Sequence, residues 1–137
     1  MSSPEHGICE IRVRYAETDR MGFLHHANYL IYFEQARTDL LRSNGSTYRK
    51  MEDEGYLLVI TKAEVKYLRP AHYDDVLVIR TSVKRITPVR IEHIYEVTRG
   101  TERIATGETT LACVNREGKL QALPDWFLDL KQSAGSS

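Results

Sequence analysis

The sequence predicts an α+β chain, one main helix with about five antiparallel strands, and three observations carry that expectation. A single segment near residues 27–43 has helical spacing and is apolar on nearly every side in its first half. Four long stretches rich in Val, Ile, Thr and Tyr follow one another after Leu57. Short polar turns separate the last of these, as in hairpins rather than crossovers. A helix without a polar face needs cover on several sides, and the simplest cover one sheet can give is to curl around it.

The elements follow in order. Ile8 to Tyr15 alternates, with Ile11, Val13 and Tyr15 on one face and Arg12 and Arg14 on the other, which predicts a half-buried strand. From Ala27 to Ser43, Tyr29, Tyr32, Phe33, Ala36 and Leu40 recur at three and four residues, and Leu30 and Ile31 widen the stripe. Asn44-Gly45 is suited to ending that helix; read so, Asn44-Gly45-Ser46 is a turn rather than a glycosylation site. A short helix over Thr47 to Glu54 stops at Gly55. Strands are then expected over Leu57 to Arg69, closed by Pro70, and over Val76 to Ile86, Arg90 to Arg99 and Arg103 to Val114. Thr98 to Thr101 and Arg116 to Lys119 have the composition of tight turns. Pro124 with Trp126, Phe127, Leu128 and Leu130 predicts a closing helix or turn, and residues 1–7 and 133–137 read as loose ends.

The whole chain reads as one domain over residues 1–137 with a core of about 8–130, large enough to fold without disulfides. Lys plus Arg number 19 and Asp plus Glu number 19, so no global field draws the chain to nucleic acid or anionic lipid. Cys9 and Cys113 fall in strand segments as expected buried thiols. No apolar run reaches the roughly 20 residues of a membrane span, and no secretory leader pattern is visible, so a cytoplasmic protein is expected. An open sheet of about five strands has unpaired edges, which favours association with a second copy.

The candidate chemistry sits between the first strand and the main helix. Asp19, followed by Arg20-Met21-Gly22, suits an Asx-turn. The same carboxylate lies beside the N-terminus of the helix, where unpaired N–H groups and the positive dipole end could hold an oxyanion. One carboxylate and a few amide donors suit a reaction with a good leaving group. A thiolate, with a pKa of about 8.5, leaves without a strong acid, so thioester hydrolysis qualifies. His25 and His26 are adjacent, face different ways and lack a third ligand at metal spacing, so no metal site is expected. Glu64, in mid-strand, is either a solvent-face residue or a second carboxylate at a subunit contact. Arg85 and Arg90, in the basic turn Lys84 to Arg90, are either solvated or placed for the phosphates of a nucleotide-bearing substrate. No G-x-S-x-G, Walker, G-x-G-x-x-G, C-x-x-C or H-E-x-x-H motif occurs, which removes the usual support for serine hydrolase, nucleotide and zinc chemistry.

Tyr15-Ala16-Glu17-Thr18-Asp19-Arg20-Met21-Gly22, then His26-Ala27-Asn28-Tyr29, resembles the hotdog-fold acyl-CoA thioesterases of the 4-hydroxybenzoyl-CoA thioesterase family. Val65-Lys66-Tyr67-Leu68-Arg69-Pro70-Ala71 with Asp74-Asp75 is similar to that family's second strand and its exit. The resemblance implies a hotdog fold, dimers that often pair into tetramers, and a site at the dimer interface. It implies Asp19 as nucleophile or as the base that activates water, and the backbone N–H of His26 as the group that polarises the thioester carbonyl. Tyr15, Gly22, His25, Asn28 and Tyr29 are expected around the substrate, with Glu64 secondary and Arg85 and Arg90 for coenzyme A phosphates. Coenzyme A is then part of the substrate and no separate cofactor is implied; an acyl carrier protein is the alternative thiol partner. Two rival readings are a hotdog enoyl-thioester hydratase using Asp19 with His25, and a non-catalytic acyl-thioester-binding module.

Overall fold

The computed structural model describes residues 6–127 of the chain. Its elements are β1 (His6–Arg12), a single 3-10 turn (Tyr15–Glu17), α1 (Ala27–Ser43), α2 (Tyr48–Asp53), β2 (Leu57–Tyr67), β3 (Val76–Ile86), β4 (Arg90–Arg99) and β5 (Glu102–Val114). The five strands form one antiparallel sheet in the order β1-β3-β4-β5-β2, with α1 packed on one face against β1 and β3.

Most expected elements are present, and the differences have local causes. β1 includes His6 and Gly7, which the sequence reading assigned to a loose end. Its inward face runs through Cys9 to Val13, but Tyr15 turns outward and is 77% exposed, because the chain enters the 3-10 turn at that residue. β2 stops at Tyr67 instead of Arg69: the amides of Leu68 and Arg69 both reach the Ile104 carbonyl, at 2.9 and 3.1 Å, and Pro70 has no amide to continue the ladder. α1 ends in the Asn44-Gly45 turn, with Gly45 at φ +86°, and the Thr47 hydroxyl caps α2 by accepting from the Lys50 amide at 3.0 Å. Asp125 to Phe127 begin a helical turn; Leu128 and Leu130 lie outside the described residues.

The buried side chains fall into two apolar clusters. One joins Val13, Tyr29, Tyr32, Phe33 and Ala36 to Leu77, Ile79, Tyr95 and Val97, with the Phe33 ring stacked on Tyr95 at 4.2 Å. The other gathers Leu41, Met51, Ile86, Ile91, Leu111 and Phe127. Between them each contributing element places a polar residue: Arg37 on α1, Thr81 on β3, His93 on β4 and Thr109 on β5, all buried. Tyr95 Oη bonds Thr109 Oγ1 at 2.6 Å and accepts from Arg37 Nη1 at 3.4 Å. Thr81 Oγ1 and His93 Nδ1 have no protein partner among the described residues. Burial, and next the Arg37 charge, push the His93 imidazole down to about 3, so it is neutral in the fold.

Gly107 on β5 lets α1 come close. A Cβ there would run into the Phe33 ring and lie 2.9 Å from the Glu64 carbonyl. Cys9, on β1, gives its thiol hydrogen to Asp39 Oδ2 of α1 at 3.3 Å; burial first, then that carboxylate, push the thiol up to about 12. The enclosure of α1 is incomplete within one chain. Leu30 and Ile31 stay exposed on the side away from the sheet, and β2 is open along its free edge, with Val59, Ile60, Tyr67 and Leu68 exposed.

Candidate active site

The segment from Glu17 to His26 is held by a dense set of local bonds. The Glu17 carboxylate is buried and accepts from the Arg14 amide at 2.9 Å, from the Arg14 guanidinium at 3.0 Å and from Tyr32 Oη at 2.7 Å. Burial alone would raise its pKa, but these donors outweigh it and hold the carboxyl below its ordinary value. The Glu17 carbonyl accepts from the His25 amide and from Asn28 Nδ2, both at 2.9 Å. Leu24 then docks its amide on the Ala71 carbonyl at 2.7 Å, and Phe23 bridges to His72. The loop is thereby tied to α1 at one end and to the β2–β3 connection at the other.

Within it, Asp19 Oδ1 accepts from the amides of Met21 and Phe23 at 2.9 and 3.1 Å, with Gly22 at φ +82° closing the turn. Oδ2 has no partner among the described residues. At the start of α1 the His25 Nδ1 accepts from the Ala27 amide at 3.1 Å. The next orphan donor of the helix end, the His26 N–H, has no acceptor among the described residues. The His26 ring stacks on Tyr67 at 4.2 Å, and Tyr67 Oη donates to the His26 carbonyl at 3.3 Å. Tyr29 meets the same Tyr67 edge-on at 5.2 Å, and burial followed by the neighbouring Tyr67 raises its phenol to about 12.

Asp19, His26, Tyr29, Tyr67 and Arg69 line a common concavity of about 230 Å³. It is walled by aromatic rings, floored by the helix start and open to a carboxylate on one side.

The expected residues divide sharply. Asp19, His26 and Tyr29 come together in the concavity. His25, Asn28 and Gly22 build the loop and the helix start rather than line the cavity. Tyr15 lies outside, paired edge-on with Tyr73 at 5.6 Å. Glu64 is on the outer face of the sheet, 3.7 Å from Lys62, because its neighbour Val65 packs inward and strand alternation sends 64 and 66 the other way. Arg85, near the far end of β3, and Arg90, at the start of β4, lie about 30 Å along the strands from the β2–β3 connection that holds the Asp19 loop. A single chain therefore does not bring Glu64, Arg85 or Arg90 to Asp19. Sequence reasoning missed Tyr67 and Arg69 as lining residues and Glu17 with Tyr32 as the support. Tyr67 and Arg69 had a signal, since both stand in the Val65 to Ala71 stretch that carries the resemblance.

Comparison with known proteins bears on the family and the fold. The model of the thioesterase-like superfamily matches residues 13–130. The chain is 33% identical over 101 residues to the acyl-CoA thioester hydrolase YbgC of Escherichia coli O6:H1, covering 74% of this chain and 70% of the relative. It is 32% identical over 106 residues to the acyl-CoA thioesterase YbgC of Haemophilus influenzae, covering 77% and 78%. Among solved structures, a DHNA-CoA thioesterase from Staphylococcus aureus superposes with a TM-score of 0.88 at 32% identity, covering 96% of this chain and 89% of that one. With its five-stranded antiparallel sheet and packed helix in that neighbour's arrangement, the chain has the hotdog fold and belongs to the thioesterase-like superfamily.

Proposed function

We propose that this protein is an acyl-CoA thioesterase, which hydrolyses an acyl thioester to the free acid and coenzyme A, with Asp19 as the reacting carboxylate. The observation that carries the reading is the pairing in one concavity of a carboxylate with an unpartnered oxygen and a helix start with an unpartnered amide, in a chain of this superfamily. The His26 N–H and the dipole of α1 stabilise negative charge on the thioester oxygen as the tetrahedral centre forms. Asp19 Oδ2 attacks the carbonyl carbon, or takes a proton from the water that does. The carbon–sulfur bond then breaks and the thiolate departs. After direct attack, water next cleaves the acyl–Asp19 anhydride to release the free acid and restore the carboxylate; after proton abstraction, Asp19 returns the proton to the thiolate. The rings of His26, Tyr29 and Tyr67 offer an aromatic surface to the acyl group, and Arg69, 3.5 Å from Glu102, is a guanidinium in the lining for an anionic part of the substrate.

The free edge of β2, where Val59 and Ile60 are exposed, supports a homo-oligomer in which a second copy pairs along that edge. Coenzyme A and the phosphopantetheine arm of an acyl carrier protein present the same thioester, and the reading extends to either thiol.

The test is thiol release from short, long and aromatic acyl-CoAs by wild type and Asp19→Asn. Turnover by wild type that falls about 10²- to 10⁴-fold in the variant is expected. Equal rates in both proteins would remove Asp19 from the chemistry, and binding without turnover would leave a binding module.

A further inference from the structure

A second concavity, of about 390 Å³, opens where the later half of α1 meets α2 and the start of β2. It shares no lining residue with the Asp19 cavity. Arg37 is eleven residues beyond His26, about 16 Å along the helix.

Arg37 is the unusual group in it. Its side chain is 6% exposed, yet the only carboxylate within reach among the described residues is Glu34, at 4.0 Å and itself 70% exposed. Its one hydrogen bond among those residues is to Tyr95 Oη, long at 3.4 Å. A guanidinium has five N–H donors, and a buried cation is costly unless charge and donors are both matched. Arg37 therefore presents an under-matched fork to the cavity.

The walls define what would match it. Arg42 is held by Asp39 at 3.5 Å, and Arg49 has no ion pair among the described residues. With Arg42 held by Asp39, Arg37 and Arg49 stand against the carboxylates of Glu34 and Glu52, so the lining has no surplus charge for a dianion, and one negative charge finds its match only at the Arg37 fork. Tyr48, Tyr56, Leu58 and Leu111 supply flat and apolar surface beside the fork. The volume lies in the range of small-molecule pockets.

We propose that this cavity binds an organic monocarboxylate with a small aromatic or apolar body, its carboxylate bidentate on Arg37. The acids released by thioester hydrolysis belong to this class, but the site does not depend on that reaction.

Calorimetric titration of the full chain with benzoate, benzamide and inorganic phosphate tests it. Benzoate should saturate one site per chain, with benzamide and phosphate each at least about tenfold weaker. Arg37→Gln, checked for folding by circular dichroism, should weaken benzoate about tenfold to a hundredfold, while Asp19→Asn leaves it unchanged. Should Arg37→Gln fail to fold, Arg49→Gln is expected to weaken benzoate about twofold to fivefold at low salt. Equal binding of benzoate and benzamide, phosphate as tight as benzoate, absence of saturation, or loss on Asp19→Asn would each overturn the proposal. A folded Arg37→Gln or Arg49→Gln that binds as wild type would do the same.

Discussion

Asp19 commits one carboxylate oxygen to its turn and leaves the other without a partner among the described residues. The sequence allowed an Asx-turn or a reactive acid as alternatives, and the geometry has room for both, since Oδ1 closes the turn while Oδ2 has no partner among the described residues and Asp19 lines the cavity. Asparagine retains an acceptor for the Met21 and Phe23 amides and alanine does not. Asp19→Asn should therefore melt close to wild type and Asp19→Ala about 1–2 kcal/mol lower, as measured by denaturant titration. Glu17 was illegible for a simple reason: its partner Tyr32 is fifteen residues away on another element, and nothing local marks a carboxylate as buried. His93 gives a pH signature. It is neutral when folded, with a pKa near 3, and ordinary when unfolded, near 6.5, so the unfolded chain binds the extra proton between those values. Its contribution is whole above about pH 6.5 and is lost as pH falls, by up to about 1.4 kcal/mol per pH unit. Glu17 and Asp75, both held low when folded, begin to cost stability only below the ordinary carboxylate range. His93 therefore contributes to the slope between pH 6 and 5, and His93→Phe should flatten it in urea titrations at those two pH values.

At the scale of the element, hydrophobic period was enough to find the helices and strands, and to place the bounds of α1, β3 and β4. It failed where long-range bonds decide. β2 ends early because two successive amides converge on one carbonyl of β5, and β1 ends early because the Arg14–Glu17 box folds the chain into a turn. Alternation also misjudged Tyr15, since period two has no means of knowing where a strand stops. The close approach of α1 to β5 was equally hidden, as a glycine inside a strand signals a bulge or a contact without naming the other party. Gly107→Ala would force the Phe33 ring off its stack on Tyr95. We expect a loss of about 1–3 kcal/mol and a fall in near-ultraviolet ellipticity, with far-ultraviolet signal retained.

For the molecule as a whole, an open sheet pointed to a partner, and the structure leaves Val59, Ile60 and Tyr67 exposed on the free β2 edge, among other exposed apolar residues such as Ile8 on β1. Light scattering should give an integer multiple of the chain mass. Val59→Lys with Ile60→Lys should reduce it to a single chain and lower thiol release if that edge completes the site. The sheet order β1-β3-β4-β5-β2 was beyond the sequence reading, which foresaw hairpins between neighbours but not that β2 would cross to the far edge. The polar band between the two apolar clusters was likewise unreadable, since Arg37, Thr81, His93 and Thr109 are distant in the chain and meet only through packing. The cysteines carry a practical consequence. Cys9 is buried with its proton held towards Asp39, and burial of Cys113 also raises its thiol, so neither offers thiolate to a reagent near neutral pH while the fold is intact. A disulfide-exchange dye added during turnover therefore reports sulfhydryl from substrate alone, and the same dye in denaturant counts unfolded molecules.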